Sequence, residues 1–180
     1  MSQLALIAVI VGLLLFVLSM VMILFPRQAN TCVTRFPRSI WPGRILAAVD
    51  IIWITALFLY SDIRWVENHK LFVLIIAPVC FAIIVVLMDE LLSVRAFGGL
   101  CLLAPYTILN AAFVYPSQSR LVMTVFAYLL VILGMILVWS PFMFSKMTSK
   151  WIGNTSLSQI VGFIGGAVGL IMVLLGLIVY

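Results

Sequence analysis

The chain alternates between long apolar runs and short polar interruptions, and this pattern predicts a helical membrane protein. Six apolar runs are each long enough, at about 17–23 residues, to cross a hydrocarbon core of about 30 Å as an α-helix. The predicted fold class is therefore an all-α polytopic transmembrane bundle with short loops, forming a single membrane domain. We predict the spans at about residues 3–25, 44–60, 71–88, 96–115, 121–139 and 159–180.

The longest polar interval, Phe25–Asp50, sets the predicted orientation. It contains four arginines and no acid before Asp50. With six spans, the loops on one side hold seven basic residues and the loops on the other side hold three. The positive-inside rule then predicts basic loops in the cytoplasm and both termini outside a bacterial-type inner membrane. The seven are Arg27, Arg35, Arg38, Arg44, Arg95, Lys146 and Lys150, and the three are Arg64, Lys70 and Arg120.

Composition excludes several classes of protein. The chain is 66% hydrophobic and 8% charged, and a soluble domain of this size could not hide so much apolar surface. The basic residues behind the net charge of +5 lie in the predicted loops, where they would interact with anionic lipid rather than with nucleic acid. The three cysteines share no short spacing, which argues against a disulfide framework or a metal knuckle. The apolar start lacks a basic leader region and a cleavage site, so we interpret it as a retained span.

Asp50 is the most unusual residue because it lies inside the second predicted span. A carboxylate at membrane depth costs about 2.5–3.5 kcal/mol on insertion scales unless it is paired, protonated or near head groups. Arg95, at the start of the fourth span, is predicted to lie at the same level and to form an intramembrane ion pair with it. Two interpretations stay open, a proton or cation site and a structural contact between helices.

The fourth predicted span is the most polar of the six. Thr107 and Asn110 follow Pro105 within it, and such residues commonly form hydrogen bonds between helices. They could instead line a path for a substrate or ion together with Asp50, since proline frees a backbone carbonyl.

The last predicted span carries four glycines at helical spacing. Two overlapping pairs, each separated by four positions, form a flat face that another helix can approach closely. This face predicts helix packing, either within the chain or between subunits. The glycines are Gly162, Gly165, Gly166 and Gly169.

The sequence contains no nucleotide-binding loop, nucleophile elbow or metalloprotease motif. Its single histidine, His69, excludes haem held between two histidines and zinc held by several. We therefore expect no catalytic residue, metal or cofactor. Asp89 and Glu90 are predicted to form a solvated turn or a docking patch, and residues 142–158 to lie partly along the membrane interface.

These features favour a small non-enzymatic accessory or scaffold subunit, with the lipid bilayer and other membrane subunits, or itself, as partners. The alternative is a small oligomeric transporter or channel that uses Asp50 and Asn110 in its path. A third interpretation is a membrane-embedded redox or lipid-modifying enzyme.

Overall fold

The computed structural model describes residues 3–61, 64–87, 91–114, 118–144, 146 and 155–180. Six of its helices are long and apolar enough to cross a membrane, which confirms the predicted fold class. Shorter helices and a 3₁₀ turn connect them in the part of the chain that the structure describes, and residues 141–144 are also helical. In chain order the helices are α1 (Gln3–Leu24), α2 (Pro26–Arg35), α3 (Ile40–Leu59), α4 (Arg64–Asn68), α5 (Lys70–Leu87), α6 (Leu92–Val114), α7 (Arg120–Trp139) and α8 (Thr155–Ile178).

Helix α6 lies at the centre of the bundle. It packs extensively on α7 and α3, and to a smaller extent on α1. Helix α1 pairs along its length with α8, while α5 lies at the edge and packs on α3. No residue of α5 is buried, whereas α6 has ten buried residues. The bundle is therefore closed around α6 and open at α5.

The polar interval after the first span is helical, which differs from the predicted loop. Pro26 occupies the first turn of α2, where its missing N–H costs no helical hydrogen bond. A 3₁₀ turn over Phe36–Arg38 follows, and α3 then begins at Ile40 rather than at the predicted Arg44. The prediction placed the span start too late because it treated Trp41, Pro42 and Gly43 as loop residues, although proline is tolerated in a first helical turn.

The two ends of the bundle differ in composition. One end, which we call the basic end, carries α2 and the starts of α3 and α6. The other, the termini end, carries both ends of the chain, where the Tyr180 hydroxyl donates a 2.5 Å hydrogen bond to the carbonyl of Ser119. A buried apolar cluster at the termini end joins α1, α6, α7 and α8. Its buried members are Leu4, Ala8, Ile108, Ala111, Ala112, Met123, Ala127 and Met172.

The glycines of α8 lie against α1. A Cβ atom added at Gly169 would come within 2.8 Å of the Gly12 carbonyl oxygen, and one added at Gly165 within 2.7 Å of the Ser19 hydroxyl. One added at Gly162 would meet Ile23 at 3.0 Å, and one at Gly166 would meet Ser19 at 3.4 Å. In this chain the glycine face therefore serves packing within the bundle.

Two of the predictions fall largely or wholly on residues outside the described part of the chain. These are the turn at Asp89 and Glu90 and most of the interfacial segment 142–158.

Candidate functional site

The candidate site is the contact between α3 and α6, which run in the same direction from the basic end. Gly43 lies against Ser93, and a Cβ atom there would stand 2.9 Å from the Ser93 hydroxyl. That hydroxyl donates a 2.5 Å hydrogen bond to the carbonyl of Ser39, just before α3. Nearly two turns further along, Asp50 faces Gly99. The buried residues of α3 are thus confined to one stripe in its first half, Gly43, Ala47 and Asp50.

The carboxylate of Asp50 lies against Gly99. A Cβ atom at Gly99 would lie 2.6 Å from Oδ2 of Asp50, so a larger residue there would require the carboxylate to move. Asp50 is 8% exposed, and its Oδ1 atom is buried without a hydrogen-bond partner among the described residues. An unpaired polar group at such a site costs free energy unless a proton, a cation or a partner compensates for it.

Asp50 lies near the middle of its helix. It comes ten residues after Ile40 and nine before Leu59, which places it about 15 Å along the axis from the first residue at 1.5 Å per residue. The sequence prediction had put it about five residues into the span, because that prediction began the helix at Arg44.

The predicted ion pair between Asp50 and Arg95 is not formed in the structure. Nε of Arg95 is buried and has no hydrogen-bond partner among the described residues, as is the case for Oδ1 of Asp50. Arg95 lies one turn before Gly99 on α6, on the same side of that helix.

Beyond Asp50 the side of α3 that carries the buried stripe is exposed. No residue of α3 after Asp50 is buried, and Ile54, which continues the buried stripe, is 39% exposed. On α6, Tyr106 and Asn110 lie within about 20° of Gly99 around the helix axis, and therefore on the face that meets α3. Tyr106 is 54% exposed and Asn110 is also exposed. We call this part of the surface, defined by Tyr106 and Asn110, the polar face of α6.

Thr107 lies beside the polar face of α6. Its hydroxyl oxygen is buried and has no hydrogen-bond partner among the described residues. Along α6, Thr107 is about 12 Å from Gly99 and Asn110 about 16 Å, given 1.5 Å per residue. Because Asp50 of α3 contacts α6 at Gly99, the three residues Asp50, Thr107 and Asn110 do not converge on one site.

Other predicted features are located as follows. His69 is exposed at the termini end, between the last residue of α4 and the first residue of α5. Among the described residues, no group of three or more His, Cys, Asp or Glu side chains could hold a metal ion. Cys32 and Cys80 are exposed, and Cys101 is buried.

Sequence reasoning missed three contacts that shape the bundle. Gly98 and Gly134 form the crossing of α6 and α7, since a Cβ atom at Gly134 would lie 2.9 Å from the Gly98 carbonyl oxygen. Gly43 and Ser93 hold the start of α3, and the Ser158 hydroxyl bonds Asn30 Oδ1 at 2.5 Å. Isolated small residues in apolar spans indicated that close contacts exist. Their spacing within one helix does not show which residues of another helix they contact.

In comparisons with known proteins, no family model, curated protein or solved structure matches this chain significantly.

Proposed function

We propose that this integral membrane protein is a small accessory subunit that receives a transmembrane helix of a partner protein on the polar face of α6. The observation that carries the proposal is the exposed amide of Asn110 within a membrane-spanning helix. Hydrocarbon offers no hydrogen-bond partner, so an amide exposed there is costly and favours association with another polar helix.

The shape of the bundle supports the same function. The buried stripe of α3 ends at Asp50, and the exposed Tyr106 and Asn110 follow one another on α6 at helical spacing. A tyrosine hydroxyl and an amide both donate and accept hydrogen bonds. The expected partner is therefore a transmembrane helix that carries small residues and at least one hydrogen-bonding side chain.

The basic residues support an orientation for this function. By the positive-inside rule, we propose that the basic end faces the cytoplasm and the termini end the opposite side of a bacterial-type inner membrane. The polar face of α6 would then meet its partner in the outer half of the bilayer.

Site-specific crosslinking in native membranes tests the proposal. A photoreactive residue at position 110 is compared with one at Ile132, which is 53% exposed on α7 and apolar. We expect position 110 to give one protein adduct of defined mass, position 132 to give lipid adducts, and Asn110→Leu to reduce co-purification of the crosslinked protein.

Two results would count against the proposal. Lipid adducts at both positions would show that no protein covers the polar face. An adduct of twice the mass of the 20.0 kDa chain would replace the foreign partner with a second copy.

A transport path is the second candidate function, and two buried atoms without partners favour it. Oδ1 of Asp50 and the hydroxyl of Thr107 could each be satisfied by a passing ion or water molecule. Proton and potassium flux into proteoliposomes should then fall with Asp50→Asn and with Asn110→Ala. If both variants conduct like the unmodified protein, or if the unmodified protein conducts neither ion, this path is rejected.

A further inference from the structure

The helix α2 is held at the basic end with a fixed orientation. Its inward side carries the buried Ala29 and the half-buried Asn30 and Val33. Asn30 Oδ1 accepts a 2.5 Å hydrogen bond from Ser158 on α8, and Ser158 is 1% exposed. Because this anchor joins α2 to the last transmembrane helix, the outward side of α2 is presented in one direction.

The outward side of α2 carries two arginines on one stripe. Arg27 and Arg35 are eight residues apart, with Thr31 midway between them, so the three share a face of the helix. Both arginines are exposed. Among the residues that the structure describes, neither guanidinium group has an ion-pair or hydrogen-bond partner.

A groove of about 520 Å³ runs along this stripe. The 3₁₀ turn and the start of α3 form its other wall, and none of the described residues that line it is acidic. Besides the two arginines, the groove is lined by Gln28, Thr31, Cys32, Phe36, Ser39 and Pro42. The guanidinium groups of Arg27 and Arg35 and the amide of Gln28 are donors that can bind phosphate oxygens, whereas the surface of the groove itself is mostly apolar.

The position of the groove identifies the source of the phosphate. Helix α2 connects the end of α1 to the start of α3, so the groove lies at the level where the spans leave the hydrocarbon. Exposed apolar side chains flank it on both sides, with Phe25 54% exposed before α2 and Trp41 75% exposed in the first turn of α3. Aromatic residues of this kind settle at the head-group level, and the acyl chains of a bound lipid would extend beside them.

We propose that the groove along Arg27 and Arg35 binds the phosphate head group of an anionic phospholipid in the leaflet at the basic end. Each basic residue near a membrane surface strengthens the binding of anionic lipid roughly fivefold.

Native mass spectrometry of the full chain tests this site. The protein, purified in a neutral detergent, is titrated with phosphatidylglycerol and separately with phosphatidylcholine. The site variant is Arg27→Gln with Arg35→Gln. The matched control is Arg64→Gln with Lys70→Gln, which removes two exposed positive charges from the termini end instead.

We expect one phosphatidylglycerol molecule to be retained in preference to phosphatidylcholine, and the site variant to bind it at least roughly tenfold more weakly. The control variant should bind like the unmodified chain. The variant Arg27→Lys with Arg35→Lys should recover affinity to within roughly threefold, since it keeps the charge and loses only the planar fork.

Several outcomes would overturn the site. Equal losses in the site and control variants would mean that net charge alone attracts the lipid. If the lysine variant bound phosphatidylglycerol as weakly as the glutamine variant, positive charge at these positions would not explain the binding. Displacement of the lipid by millimolar inorganic phosphate would assign the groove to free phosphate instead of a lipid head group.

Discussion

Two helix pairs in this protein use small residues to bring backbones together, and they reach different results. In the α1–α8 pair the small residues continue along the whole interface, from Gly176 opposite Ala5 to Gly162 opposite Met22. In the α3–α6 pair they stop at Gly99, where the partner residue is Asp50. The close approach continues along most of the first pair, whereas in the second pair the buried residues of α3 are confined to its first half.

The difference shows what small residues and polar residues each contribute in lipid. Lipid tails are as apolar as leucine, so helices associate through close packing and hydrogen bonds rather than through burial of apolar surface. The α1–α8 pair gains dispersion contacts at every turn. The α3–α6 pair ends in a carboxylate without a partner, and its exposed continuation on α6 is polar.

The largest expected effect is the loss of the closed pair. Gly169→Ala places a Cβ atom 2.8 Å from the backbone atoms Gly12 O and Phe16 N, which cannot move aside as a side chain could. We expect a destabilisation of about 2–3 kcal/mol from overpacking. Reversible unfolding in mixed micelles measures the free energy of unfolding.

Gly166→Ala is the matched control for this substitution. Its added Cβ atom would meet only the Ser19 side chain, at the ordinary contact distance of 3.4 Å. We expect it to stay within about 0.5 kcal/mol of the unmodified protein, as most substitutions without a named conflict do. Equal losses at the two positions would contradict the close approach of α1 and α8.

An intermediate effect is expected at the end of the α3–α6 contact. Gly99→Ala would push a Cβ atom to 2.6 Å from Oδ2 of Asp50. We expect it to destabilise the protein by about 1–2 kcal/mol, and to be nearly neutral once Asp50→Ala removes the carboxylate. The coupling energy from this double-mutant cycle measures the contact directly, and a value near zero would show that the two residues do not touch.

The smallest expected effect concerns two serine hydroxyls, one in each region. Ser158→Ala removes the bond to Asn30, and Ser93→Ala removes the bond to the Ser39 carbonyl. Each loss should cost about 0.5–1.5 kcal/mol, the usual net contribution of a hydrogen bond.

Limited proteolysis distinguishes the consequences of these two substitutions. Ser158→Ala should expose α2 to cleavage, because Ser158 anchors that helix to α8. Ser93→Ala should instead affect the start of α3. Unchanged cleavage of α2 in the Ser158 variant would argue that the anchor contributes little.

Much of the fold could be predicted because transfer into lipid depends on local composition. Six apolar runs predicted six spanning helices, and the structure has them. The prediction was less accurate at Pro26–Gly43, where charged residues resemble a loop although they form the amphipathic helix α2 and the first turn of α3. Hydropathy does not distinguish a surface helix from a loop.

The candidate site was predictable only in part. Asp50 was identified from sequence because a charge in an apolar run is costly wherever it lies. Its neighbour Gly99 was not identified, since a glycine in a span has many potential packing roles. The expected neighbour Arg95 lies on the right helix but does not pair with Asp50.

The sequence by itself determined that this chain has six spanning helices and contains one unusual carboxylate, because those properties depend on each segment and its solvent. Only the tertiary structure decided that α8 closes on α1, that α6 occupies the centre, and that the buried residues of α3 end at Asp50. Helix pairing in lipid depends on the matching shapes of two distant surfaces, and no single segment carries that information.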